Sequence, residues 1–99
     1  MADPVRISFA ASAVADLEEL LAYYEEQLVP AVGARLLREI SERIEALKSH
    51  PDMGRAVPEF GRDSLRELIH PPFRIVYRRD RTKVRIVRVW RSERLLNLP

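Results

Sequence analysis

The 99-residue chain contains no cysteine, which excludes a disulfide framework, a thiolate nucleophile and a cysteine-ligated metal, and is compatible with a reducing compartment. Its two histidines, His50 and His70, each stand beside a proline with no cluster of ligand residues nearby, so no metal site is expected. Glycine is scarce. Gly54 and Gly61 are isolated turn residues rather than a phosphate-cradling loop, which leaves nucleotide cofactors without support. No apolar run approaches the roughly 18 residues of a membrane span, and the segment 1–6 lacks the basic and apolar parts of a signal peptide. A cytoplasmic protein without cofactors that stays out of the membrane is the expectation.

With 46% hydrophobic and 32% charged residues, the composition is that of a folding, globular chain. The length fits one domain over residues 1–99, with a small, continuous core. The net charge of +2 conceals a division. Residues 11–50 carry eight acids and four bases, a net of −4, whereas residues 51–99 carry six acids and twelve bases, a net of +6. The second half is therefore expected to face an anionic partner, either nucleic acid or an acidic protein segment.

Val5-Arg6-Ile7-Ser8-Phe9 alternates apolar and polar residues and reads as a strand. From about Ala11 to Leu28, Val14, Leu17, Leu21, Tyr24 and Leu28 recur at helical spacing, with Asp16, Glu18, Glu19, Glu25 and Glu26 assigned to an acidic outside. Pro30 breaks that helix and suits the first turn of another, which runs to about Ser49 on a stripe of Val32, Leu36, Ile40, Ile44 and Leu47. The short link implies an antiparallel helical hairpin. Breakers at Pro51, Gly54, Pro58 and Gly61 predict an ordered loop, followed by strands at Leu65–Ile69, Phe73–Arg79 and Val84–Trp90. The expected order is β-α-α-β-β-β: an α+β domain with the hairpin on one face of a small, mainly antiparallel β-sheet, and the first strand at an edge or beside the last.

If the last hairpin closes through Arg81 and Thr82, residue 79 faces 84, 77 faces 86, 75 faces 88 and 73 faces 90. That register places Phe73, Ile75, Tyr77, Val84, Ile86 and Trp90 on the helix-covered face, with Arg79 and Arg88. Arg88 is then expected to snorkel or to pair with an acid such as Glu67. The opposite face carries Val76, Val87 and Val89 as an exposed strip among Arg74, Arg78, Arg85 and Arg91.

The stretches Ala15–Leu20 (ADLEEL), His50–Gly61 (HPDMGRAVPEFG), Leu65–Ile69 (LRELI), Phe73–Arg78 (FRIVYR) and Ile86–Arg94 (IVRVWRSER) fall in order along this frame. In them the chain resembles the ParE/RelE toxin superfamily of type II toxin–antitoxin systems, closest to its ParE-like branch. The resemblance implies a toxin associated with plasmid stabilisation, neutralised in a hetero-oligomer by a cognate, ParD-like antitoxin whose C-terminal segment wraps hairpin and sheet. It also implies DNA gyrase as the target.

The alternative within the superfamily is a RelE-like, ribosome-dependent mRNA endonuclease, which needs phosphate-gripping arginines and groups able to move protons. Arg74 matches such an arginine and Arg66 falls near a basic position. Leu68 and Ser92, however, stand where further cations belong, and no tyrosine follows Trp90. The incomplete set argues against an enzyme and assigns no catalytic residue. A third reading is a non-toxic relic that only binds its antitoxin. The residues expected to bind target or antitoxin are Arg74, Val76, Arg78, Arg85, Val87, Val89, Arg91 and Arg94. Trp90, Tyr77 and Phe73 are read as core rather than as a base-stacking platform. Ala10 stands where many relatives of the family carry a serine or threonine helix cap, a role that Ser8 or Ser12 would have to fill.

Overall fold

The computed structural model describes residues 4–60 and 64–92. Strand β1 (Arg6–Phe9) leads into helix α1 (Ala11–Glu26) and helix α2 (Pro30–Ala46), followed by β2 (Arg55–Ala56), β3 (Leu65–His70), β4 (Phe73–Arg79) and β5 (Lys83–Arg91). The five strands form one sheet in the order β1-β5-β4-β3-β2. It is antiparallel except where β1 runs parallel to β5. The expected α+β architecture is therefore present, with one addition: the loop after α2 contributes the short edge strand β2.

The two helices pack closely because Gly33 on α2 lies against Tyr24 on α1, where a Cβ would come within 3.0 Å of the Tyr24 Cβ. Leu36, Ile40 and Ile44 of α2 and its C-cap Leu47 are buried as their spacing predicts, against Leu68, Phe73, Ile75, Tyr77, Val84, Ile86 and Val89 of the sheet. On α1 the expected Leu17, Leu21 and Tyr24 pack partly against this core, but the centre of the buried face is shifted. Ala13, Asp16 and Leu20 point inward, whereas Val14 is 43% and Leu28 87% exposed.

Asp16 is drawn inward by the edge of β5. Strand β1 covers that edge only as far as the Phe9–Ile86 pair, after which the chain turns into α1. Side chains of the helix take over from the missing strand: Ser12 Oγ donates to the Val87 carbonyl at 2.8 Å, and Asp16 Oδ2 accepts from the Val89 N–H at 2.9 Å. Ser12 is thus committed to the strand, and Ala10 caps α1 without a side-chain hydrogen bond. The Asp16 carboxylate also takes two hydrogen bonds from Arg88, each 2.8 Å. Removing Asp16 would leave the half-buried Arg88 without its carboxylate and the Val89 N–H without an acceptor, so this contact anchors α1 on the sheet.

At the same place β5 is bulged. Ile86 faces Tyr77 but Arg88 faces Val76, leaving Val87 as the extra residue. The expected pairs 79–84 and 77–86 occur, whereas 75–88 and 73–90 are replaced by Ile75–Val89 and Phe73–Arg91. Beyond the bulge the side chains exchange faces, because the strand period is two. Trp90 leaves the helix-covered core and packs with Val57, Leu65 and Val76 in a second cluster, while Val89 moves into the main core. Arg88 reaches Asp16 rather than the anticipated Glu67, with its guanidinium 4.1 Å from the Trp90 ring centroid.

Helix α1 ends with two reverse hydrogen bonds, Leu28 N–H to the Glu25 carbonyl and Val29 N–H to the Tyr24 carbonyl. This arrangement calls for a left-handed residue after the cap, a position usually held by glycine. Leu28 holds it here with φ 62°. Left-handed geometry costs a Cβ-bearing residue about 1–2 kcal/mol, partly offset by the larger chain entropy that glycine loses on folding. Leu28→Gly should therefore raise stability by about 0.5–1 kcal/mol, read from the denaturant midpoint. A loss of comparable size would show that the leucine side chain contributes packing to the folded domain.

Candidate functional site

On the sheet face away from the helices, β3 and β4 alternate so that Leu65, Glu67 and Ile69 share a face with Arg74, Val76 and Arg78. The loop from Arg55 to Phe60 folds over one end of this face and brings Arg55 and Glu59 to it. Glu67, with a fully buried side chain, accepts from Arg55 Nε at 2.8 Å and from Arg74 Nε at 2.7 Å. Glu59 clamps the outer edge of the Arg74 guanidinium with bonds of 2.9 and 3.1 Å. Two arginines and two carboxylates thus share the site and their charges cancel. An open groove of about 380 Å³ beside them is lined by Arg55, Glu59, Ile69, Arg74 and Ser92.

Arg74 was expected to face solvent, ready for a phosphate or an acidic partner. It is buried, and both sides of its guanidinium fork are engaged by carboxylates. The hydrogen bonds from Arg74 hold the Glu59 carboxyl below the ordinary carboxylate range, and those same acids raise the arginine further. A carboxylate with both oxygens engaged and lowered basicity makes a poor proton acceptor at neutral pH. The Tyr77 hydroxyl is no substitute. It donates to the Pro51 carbonyl at 2.8 Å and accepts from Gly54 N–H at 2.9 Å, and burial pushes its pKa up. A Cβ on Gly54 would stand 2.6 Å from that hydroxyl oxygen, so glycine is what admits the tyrosine there. His70 lies on the opposite face, 3.0 Å from Glu39 of α2. Among the described residues no group of histidine and acidic side chains could hold a metal.

The other anticipated binding residues separate. Val76 and Val89 are buried, the first under Trp90 and Val57, the second beneath the helices, so no exposed valine strip exists. Val87 alone stays half-buried. Arg78 and Arg85 are exposed cross-strand neighbours. Arg91 has moved with the bulge to the helix side, 5.0 Å from the Tyr23 ring and 5.5 Å from that of Phe73. There it lines a small cleft with Leu20, Tyr23, Tyr24, Phe73 and Val89. Arg94 lies outside the described residues. Glu59, Glu67 and Arg55 were missed as members of the site. One signal was available, a lone acid at Glu67 in a strand of leucine and isoleucine, which called for a buried cation nearby.

The chain matches the family model described as ParE toxin of the type II toxin–antitoxin system parDE over residues 7–96. Among curated proteins no relative matches. Of solved structures, a chain of the chromosomal ParDE toxin–antitoxin system from P. aeruginosa is similar at TM-score 0.75 and 21% identity, covering 91% of this chain and 98% of that one. A chain of the toxin–antitoxin complex RelBE2 from Mycobacterium tuberculosis is similar at TM-score 0.65 and 23% identity, with coverage of 89% and 98%. At these identities the likeness concerns the fold.

The lowered Glu59 carboxyl fixes the sign of one pH effect. A depressed folded pKa adds stability that is present above the unfolded value and is lost as pH falls through the folded one. Below the ordinary value of 4.5 the native chain should therefore lose stability more steeply than Glu59→Gln. Denaturant melts at a series of acidic pH values check this, and parallel curves would mean that the clamp on Arg74 adds no stability.

Proposed function

The chain belongs to the ParE toxin family of type II toxin–antitoxin systems, and we propose that it arrests growth by blocking DNA gyrase until a ParD-like antitoxin neutralises it. The observation that carries this reading is the occupied state of Arg74. RNA cleavage needs cations free to grip a scissile phosphate and a group able to take the 2′-hydroxyl proton. Here the one arginine matching such a role is neutralised by Glu59 and Glu67, Ser92 opens onto the same groove, and Tyr77 is committed to the loop backbone. A protein of this design acts by binding.

The antitoxin fits the helix side better than the basic sheet face. Peptide segments draw affinity from apolar anchors that leave water. The exposed anchors Val14, Tyr23, Leu28 and Val29 lie on α1 and at the hairpin tip, next to the cleft that holds Arg91. The hetero-oligomer would bury these side chains, and the leucine held in left-handed geometry would gain a purpose.

Controlled expression without antitoxin tests the reading, with growth, DNA-damage induction and message integrity followed together. Arrest with damage signalling and intact messages is expected. Arg74→Ala should reduce arrest only as far as it destabilises the fold. Arrest with cleaved messages, abolished by Arg74→Ala in a variant that still folds, would establish the nuclease instead, and absence of arrest would identify a relic.

A further inference from the structure

We propose that the half of the sheet nearest β1, on the face away from the helices, binds duplex DNA through its phosphate backbone without reading sequence. Arg6 on β1, Lys83 and Arg85 on β5, and Arg78 on β4 project from this face. All four are exposed. They are neighbours by register, since Arg6 pairs with Lys83 and Arg85 with Arg78. Two inter-strand steps of about 5 Å separate β1 from β4, so the cations form a patch about 10 Å across.

The face divides sharply in charge. Toward β2, Arg55 and Arg74 are matched by Glu59 and Glu67. Toward β1, among the described residues, Arg6, Arg78, Lys83 and Arg85 have no acidic partner on the face. Asp16, the acid that α1 brings to β5, is already engaged by Arg88.

The chemistry of the patch selects its ligand. An acidic peptide would need apolar anchor points, yet between β1 and β4 this face offers Val76, which is buried, and Val87, which is half-buried, while the exposed Ile69 lies on β3 at the acid-paired end. Single-stranded nucleic acid would need exposed aromatic rings for base stacking. Trp90, the aromatic residue that the described strands place on this face, is buried in the second core cluster with Arg88 over its ring. A duplex keeps its bases stacked inside and offers one negative charge for each ~1.7 Å of axis, which suits cations without anchors or stacking partners. The inference stands apart from the gyrase reading, which could fail while this surface still binds DNA.

The test uses the full chain and a short, mixed-sequence DNA duplex carrying a fluorophore, with anisotropy titrations from about 50 to about 200 mM salt. Four phosphate contacts predict a log–log salt slope between about −3 and −4. Arg78→Gln combined with Arg85→Gln should weaken binding at least about tenfold at the lowest salt and reduce the slope by about 2. The exposed helix variant Arg35→Glu should leave both unchanged, and matching thermal melts establish that the variants fold. Absence of binding at low salt, or full binding by the double variant, overturns the proposal. So does displacement of the duplex by a polyglutamate peptide at equal charge concentration, which would assign the face to an acidic protein segment.

Discussion

The carboxylate of Asp16 does in this domain what a neighbouring strand would otherwise do. A sheet whose edge strand stops short leaves main-chain N–H and C=O groups that must find partners when covered. Here α1 starts where β1 ends, and Asp16 accepts the Val89 N–H while binding Arg88 through two hydrogen bonds. That single side chain joins helix to sheet and holds the bulged half of β5 in place. The bulge then decides which residues belong to which face. Trp90 becomes the centre of the second core, Val89 joins the first, and Arg91 is carried to the aromatic cleft beside α1.

Because the second core needs a cover, the loop after α2 must lie over it. Val57 supplies the apolar contact, and Arg55 and Glu59 bring the charges that close around Glu67 and Arg74. A buried carboxylate between two arginines is tolerable only because every partner is present. The cost is chemical. Arg55 and Arg74, committed to internal acids, are thereby withdrawn from an external phosphate at the groove beside them. At the other end of the same face stand the exposed cations Arg6, Arg78, Lys83 and Arg85, with no acidic partner on that face among the described residues. Arginines paired with internal acids and exposed arginines are thus separated along one sheet.

Most of the architecture was legible in periodicity. The helical hairpin, the break at Pro30, the buried stripe of α2 and the antiparallel strands follow from spacing and breakers alone, since each rests on local pattern. What escaped was non-local. Nothing in Ile86–Trp90 marks Val87 as an extra residue, because a run of alternating valine and arginine reads equally well in either register. One unmarked residue displaced Val89, Trp90 and Arg91 from their expected faces and made Val76 look exposed. Asp16 was counted with the acidic outside of α1 because a charge inside a helix pattern suggests solvent until its partner, 72 positions away, is known. Arg74 and Arg78 look alike in sequence, and only the fold of the Arg55–Phe60 loop makes one structural and leaves the other open.

The register of β5 beyond Val87 is therefore the point on which the assignment of both faces turns. Through-space contacts of the Trp90 indole, measured by NMR in the full chain, report it directly. A bulge at Val87 requires contacts to the methyl groups of Val57, Leu65 and Val76, together with a slowly exchanging Val89 amide. Contacts from the indole to Ile75 and Ile86 would mean an unbulged strand. That result would return Val76 and Val89 to the exposed face and contradict the division between structural and binding arginines.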